Sequence, residues 1–550
     1  MIAALTFAFA CAVAAPQQPT PAPQPRRSRS QLVLTGGTIW TGTGEPWPER
    51  QALGARGERI EPCDPRSPGA LVVDLPEGAF VMPGLIDAHG HLLGLGGSLA
   101  EVDLVGTTSY QEVVARAKAK AATLPKGSWV IGRGWDQNDW PEKVMPHHQA
   151  LTQAVPDHPV WLTRIDGHAG LANALALQAA GVRRGSVAPS GGEILFDVRG
   201  EPTGVLVDAA MAAVPQPGLT DAQIRTRLLA AQAACFAHGL TCVHDMGVSR
   251  RVLDAMVQLH REGRWLLRTY VLLSSSERER IRRGPWQTPD GLIVVRGVKA
   301  YADGALGSRG AALLEPYADR PNTRGLVSMP KGAILLLAQM CADHGMQLCT
   351  HAIGDAANKT VLDAYAAVQC DGGLAGRRFR IEHAQVVAAD DFARFAELGV
   401  LPSMQPTHLT SDMPWAPERL GPERTLRAYA WRRFHALDVV VPFGSDFPVE
   451  SVDPLKGIYA AVTTKALGAD RELRPDQKLT RVQALRGFTQ AGAYAMFSER
   501  RLGTIELRKY ADFTVFDRDL RTCSDAEILA ARVLLTVVGG RIVYDGRRGG

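Results

Sequence analysis

The sequence predicts an α/β protein in which a (β/α)8 barrel is accompanied by one small β domain drawn from both chain ends. Three observations carry this reading. Eight short apolar runs alternate with helical stretches through the middle of the chain, the pattern of a parallel sheet with crossover helices. Shorter β-type runs broken by glycine turns cluster at the two ends. The 550 residues, 46% hydrophobic and 21% charged, have much to bury and exceed one ordinary core.

Residues 1–30 read as a leader and a linker. The stretch MIAALTFAFACAVAAP is apolar for about fifteen residues, too short to span a bilayer, and no basic residue follows Met1. Ala12-Val13-Ala14 gives a signal-peptidase pattern, and the Pro/Gln-rich residues 16–25 follow as a flexible tether. Export is the expectation, as a periplasmic or secreted protein. Lipid attachment at Cys11 and a cytoplasmic leader stay open as alternatives.

From residue 31 to 80 the chain alternates β-type runs with turns, LVLTGGTIW and then ALVVDLPEG. A matching set closes the chain, YADFTVF (510–516) and VLLTVVGGRIVY (533–544). Neither set has enough strands for a stable sheet, so residues 31–80 and 497–547 are expected to pair as one β domain around residues 81–496.

The eight candidate barrel strands are VMPGLIDAH (81–89), TCVHDM (241–246), WLLRTYVLL (265–273), LIVVRGVKAYAD (292–303), MQLCTHA (346–352), FRIEHA (379–384), VLPSMQP (400–406) and VVVPFGSD (439–446). Helical stretches fall between most of them, for example 220–238 and 331–344. About 150 residues separate the first two strands, far more than one helix needs, so an insertion is expected at roughly 129–213.

Barrels of this kind place their sites at the C-terminal ends of the strands. Polar residues collect there: His89 and His91 on the first strand, Lys299 on the fourth, His351 on the fifth, His383 on the sixth and Asp446 on the eighth. His89 and His91 share one face of their strand because side chains alternate. Four imidazoles and a carboxylate suit one or two divalent metals, zinc first, with iron, manganese, cobalt and nickel chemically admissible. An ammonium group among them would repel the cations. A buried lysine favours its amine form, which can take up carbon dioxide, so Lys299 is expected to carry a carbamate that bridges two metals. Water on such a metal ionises near neutral pH, and Asp446 is expected to take its proton and pass it to the leaving group. Structural readings stand beside these: an ion pair of Lys299 with Asp303 or Glu315, a core role for His383, and a turn or cap role for Asp446.

The net charge of +5 arises from dispersed residues, and no basic run interleaved with aromatics points to nucleic acid. The eight cysteines form no C-x-x-C pair and read as buried thiols. No stable membrane span is expected, and oligomeric state is unspecified, a homo-oligomer being compatible with the chain.

Taken in order, PGLIDAHGH, VKAYADGALGSRGAAL, THAIGDAAN, RIEHAQ and GSDFPVESVDP resemble the amidohydrolase superfamily. Within it they are similar to the amidohydrolase-3 group of YtcJ-like proteins and N-substituted formamide deformylase. The resemblance runs from about residue 32 to 544 and takes in GRGWDQNDW, WLTRIDGHAGLAN and the closing KYADFTVFD. It implies a distorted TIM barrel with a small β-sandwich made from both termini. It also implies metal ligation by His89, His91, His351 and His383, a carboxylated Lys299 and a catalytic Asp446. By the same resemblance the insertion covers the barrel mouth, which makes His168, Trp135 and Asp136 substrate-binding candidates, with packing of the insertion on the barrel as the competing view. Arg309, in the GALGSR run after the lysine strand, is a candidate for an anionic substrate group, with an Arg309–Glu315 ion pair as the competing view. The expected activity is metal-dependent hydrolysis of a non-peptide, amide-type C–N bond in a small molecule. Ring deamination, ester hydrolysis and a noncatalytic metal-stabilised envelope protein are the alternatives.

Overall fold

A computed structural model describes residues 31–45, 52–165, 169–189, 192–215, 218–370 and 372–548. The expected export segment, residues 1–30, lies outside the described residues.

The run read as a single first strand over 81–89 is two strands that serve different sheets. Phe80–Pro83 pairs antiparallel with Phe513–Phe516, whereas Leu85–Gly90 pairs parallel with Leu240–Val248. Gly84 is the corner between them, where a Cβ would overlap the side chain of Thr241. Proline offers no N–H to a ladder, so Pro83 is also a natural place for the first sheet to stop.

Seven parallel strands then form the barrel wall in spatial order: Leu85–Gly90, Leu240–Val248, Arg268–Ser274, Ile293–Tyr301, Gln347–Ala352, Arg380–His383 and Leu401–Ser403. The eighth position is held by residues 442–447, which make one bridge to each neighbour, Met404 with Phe443 and Gly90 with Phe447. Backbone hydrogen bonds from Met404 N to Pro442 O, Ala88 N to Phe443 O and Asp446 N to His89 O close the ring at 3.0, 2.9 and 2.7 Å. The fold is therefore the expected distorted (β/α)8 barrel, and its distortion is concentrated at this closing strand.

Helices between the strands begin on side-chain caps. Thr220 and Gln223 form a reciprocal capping box before Asp221–Ala237, and Ser249 accepts from Val252 N at the start of Arg250–Arg261. The apolar faces of both helices, including Leu228, Cys235, Leu253 and Met256, are buried in the main core.

Two further sheets come from the chain ends. One has the order Arg59–Ile60, Leu53–Arg56, Gln31–Thr35, Ala70–Asp74; the other, Thr38–Ile39, Phe80–Pro83, Phe513–Phe516, Val533–Val538, Arg541–Asp545. They share one apolar core, in which Leu32, Leu34 and Leu53 of the first meet Val81, Phe513 and Leu535 of the second, so the pair is a β-sandwich. The sandwich is tied to the barrel by the buried Arg268–Asp512 ion pair and by Thr514 Oγ1 donating to Gly239 O at 2.7 Å.

The chain between the first two barrel strands builds a six-stranded sheet with its own core. That sheet starts at Val102–Asp103, ahead of the expected 129, because this short strand pairs parallel with Gly132 and Arg133. Helix Tyr110–Ala121 buries Val113 and Ala117 in the same core.

All seven described cysteines are free, with Cys235, Cys242, Cys341 and Cys349 buried. No described helix is long and apolar enough to cross a membrane.

Candidate metal centre and active site

Strand geometry brings His89, His383 and Asp446 together at the barrel mouth. One donor atom from each lies within 4.8 Å of the other two, and all three residues are buried. His89 Nε2 is 3.4 Å from Asp446 Oδ1, and His91 Nε2 is 3.1 Å from the same oxygen. Gly90, between the two histidines, faces the Phe447 ring so closely that a Cβ there would overlap it. His383 and Asp446 both have left-handed backbones, φ 73° and 63°. Non-glycine residues rarely adopt that conformation, and its appearance at two of the three donors marks a place where the fold holds strain.

Each buried histidine has its second ring nitrogen occupied. His89 Nδ1 is 2.6 Å from Glu382 Oε2, and His383 Nδ1 is 2.7 Å from Gln405 Oε1. Nδ1–H donates to these oxygens, which leaves each Nε2 with a lone pair, and His89 Nε2 faces Asp446 Oδ1. The donor set thus fits a divalent metal held with oriented histidines. His351 packs beside this group, its ring 4.5 Å from that of His383, but its Nε2 faces Asp303 Oδ1 and Gly304 O, each at 3.4 Å.

Lys299 is fully buried with Nζ 3.2 Å from His89 Nε2. Neither expected ion-pair partner engages it: Asp303 accepts backbone N–H groups of Ala312, Ile353 and Gly354, and Glu315 pairs with Arg324. Burial lowers the Lys299 pKa, against the opposing pull of Glu382 and Asp446. Burial, followed by the Lys299 charge, holds His89 well below the usual histidine range, and burial with His351 does the same to His383. At Asp446 burial pushes the carboxyl up, but His89, the His91 hydrogen bond and His408 outweigh it, and the group ionises below the ordinary carboxylate range.

Three contributors were not foreseen from sequence. Glu382 and Arg380 form a buried pair behind His89, in which Arg380 also reaches Ala88 O at 2.6 Å, Ser403 Oγ at 2.7 Å and His244 Nδ1 at 2.9 Å. The alternation in RIEH puts 380 and 382 on one face, which was the available signal. His408 lies on helix Pro406–Asp412, which begins inside the run read as a strand to residue 406.

Three of the expected substrate residues, Trp135, Asp136 and Arg309, have protein partners of their own. Trp135 is wholly buried in the insertion core, where its Nε1 donates to Leu162 O at 2.7 Å and its ring stacks on Trp140. Its substrate role is corrected to packing, because a large ring with a satisfied N–H gains most from burial. Asp136 is engaged by Arg164 at 2.6 Å. Arg309 pairs with Asp319, also at 2.6 Å, so neither a free cation nor the Glu315 pairing is observed. His168 lies outside the described residues. Tyr301 is 45% exposed at the end of its strand, with its ring 5.5 Å from that of His351.

A sequence model of the amidohydrolase family matches residues 71–544, nearly the whole described chain and every residue of the site above. The chain belongs to the amidohydrolase family. This amidohydrolase is 32% identical over 539 residues to Protein LONG AFTER FAR-RED 3 of Arabidopsis thaliana, covering 94% of this chain and 92% of that one. It is 33% identical to the putative amidohydrolase YtcJ of Bacillus subtilis (strain 168), over 85% of this chain and 89% of the relative. Its identity to the N-substituted formamide deformylase of Arthrobacter pascens is 28%, with 89% and 92% covered. Among solved structures it is similar to an uncharacterized metal-dependent hydrolase from Pyrococcus horikoshii OT3, with a TM-score of 0.75 and 28% identity over 90% of this chain and 99% of that one. The protein is an enzyme, a metal-dependent hydrolase of the amidohydrolase superfamily.

Proposed function

We propose that this amidohydrolase cleaves a non-peptide, amide-type C–N bond in a small molecule, using one or two divalent ions, zinc first, and Asp446 as the base. The observation that carries the reading is the convergence of His89, His383 and Asp446 on one buried point at the barrel mouth. A divalent ion bound there supplies Lewis acidity and brings the ionisation of water near neutrality. His89 and His383 would hold it through Nε2, each oriented by the acceptor on its Nδ1. His91, His351 and a carbamate on Lys299 would complete the donor set of a metal bound there.

Asp446 divides its labour between two oxygens. Oδ1 faces His89 and His91, while Oδ2 faces the His408 side. The carboxylate takes a proton from the attacking water as the new O–C bond forms, and returns it to the nitrogen as the C–N bond breaks. The neighbouring histidines keep the carboxylate ionised, the form that can accept a proton. Similarity to an N-substituted formamide deformylase supports a C–N bond over an ester.

The test is turnover of a panel of N-substituted formamides, N-acyl amines, cyclic imides and acyl amino acids by zinc- and manganese-loaded enzyme. Asp446→Asn is expected to abolish turnover, and unchanged turnover in that variant would sink the reading. We also propose export, on the apolar leader and the Ala12-Val13-Ala14 pattern. Recovery of the full-length, uncleaved chain from cytoplasm alone would contradict it.

A further inference from the structure

His408 occupies the one side of Asp446 that the metal-facing histidines leave open. Its helix, Pro406–Asp412, starts at the residue after Gln405, the side chain that orients His383. The His408 ring lies 5.7 Å from that of His383 and nearly parallel to it, at 14°. Nε2 is 3.6 Å from Asp446 Oδ2, too far for a hydrogen bond, and it is buried with no hydrogen-bond partner. A buried polar nitrogen without a partner is uncommon in a folded protein and is expected where a ligand completes the bond. This one sits on the opposite oxygen of Asp446 from His91 Nε2. With a carboxylate oxygen 3.6 Å away, the tautomer that carries the hydrogen on Nε2 is favoured.

We infer that His408 is a catalytic residue whose Nε2–H donates to the carbonyl oxygen of an amide substrate as that oxygen gains charge. The inference rests on the hydrolysis proposed above. The water oxygen bonds to the carbonyl carbon, and Asp446 takes the proton that the water loses. The C=O π pair moves onto the oxygen, where His408 meets it. When that pair returns, the C–N bond breaks and the amine leaves with the proton held by Asp446. A donor aimed at developing charge contributes more to the transition state than to the bound substrate, so its loss falls on kcat.

The experiment compares wild type, His408→Ala, His408→Gln and Asp446→Asn on N-butylformamide, or on whichever panel amide turns over fastest. Metal content is measured on each preparation, together with the affinity of the matching phosphonamidate, a stable mimic of the tetrahedral oxyanion. His408→Ala is expected to lower kcat by about 100-fold or more, with KM little changed and metal content equal to wild type. Phosphonamidate affinity should fall in parallel, and His408→Gln, which restores an N–H donor, should recover about tenfold of the loss. A kcat within about threefold of wild type, or a loss that appears only as lower metal content, would overturn the role of His408. If Asp446→Asn is dead while His408→Ala is active, only this inference fails. If Asp446→Asn keeps full turnover, the hydrolytic reading fails with it.

Discussion

His89 Nδ1 and Glu382 Oε2 are 2.6 Å apart, and both side chains are fully shielded from solvent. Glu382 is held in turn by Arg380, which is wholly buried and spans the barrel to Ser403 and the Ala88 carbonyl. The ring orientation of His89 thus depends on a carboxylate from the far side of the barrel. Glu382→Gln keeps the shape and removes the charge, so it is expected to weaken metal affinity by about 10- to 100-fold while the fold persists. Competition with a chromogenic chelator measures this, and an affinity equal to wild type would show that the pair does not orient the ligand.

Lys299 bears on the number of metals. Its burial favours the amine, the form that takes up carbon dioxide, and its Nζ lies beside His89 Nε2. Enzyme prepared with 13C-bicarbonate is expected to show a carbamate carbon signal that Lys299→Met lacks. That variant should also hold fewer metal ions per chain. Full metal content with no carbamate signal in wild type would contradict a bridging role.

The positions of His89, His383 and Asp446 were legible because each lies at the end of an apolar run, where a barrel gathers its site. Glu382 and Arg380 were not, since their meaning depends on partners 293 and 292 residues away that only closure of the barrel brings near. The split at Gly84 was hidden for a related reason: Phe80–Pro83 and Leu85–Gly90 are both fully buried, so nothing in their hydrophobicity separates the sandwich strand from the barrel strand. The closing strand was read over 439–446, yet it makes only isolated bridges, and its backbone turns left-handed at Asp446. The packing of Trp135 shows only once its own sheet is seen to cover it.

The correction at Trp135 has a consequence for stability. Trp135→Ala leaves a large cavity in the insertion core and removes the partner of Leu162 O. It is expected to cost about 3–5 kcal/mol, confined to the insertion. Urea melts with hydrogen exchange resolved by segment would locate the loss. A stable insertion with a raised KM would restore the substrate role.

Acid stability offers a test away from the site. Hydrogen bonds from Arg474 hold the Asp476 carboxyl down to about 2, below its ordinary value of 3.8, with Gln477 assisting. A depressed carboxylate contributes stability above the unfolded value and loses it as pH falls through the folded one. Asp476→Asn is therefore expected to be less stable than wild type near neutrality, by less than about 1 kcal/mol because the side chain is 55% exposed. Urea unfolding at pH 5 and pH 2.5 should show that gap narrowing toward the acid side. A gap independent of pH would mean the pairing contributes through shape alone.

Anomalous diffraction from crystals of the zinc-loaded enzyme, recorded above and below the zinc edge, bears most directly on the account. A peak within bonding reach of His89 Nε2, His383 Nε2 and Asp446, with a second toward Lys299 if the carbamate bridges two ions, is the predicted result. Zinc bound to the chain but absent from this mouth would contradict it.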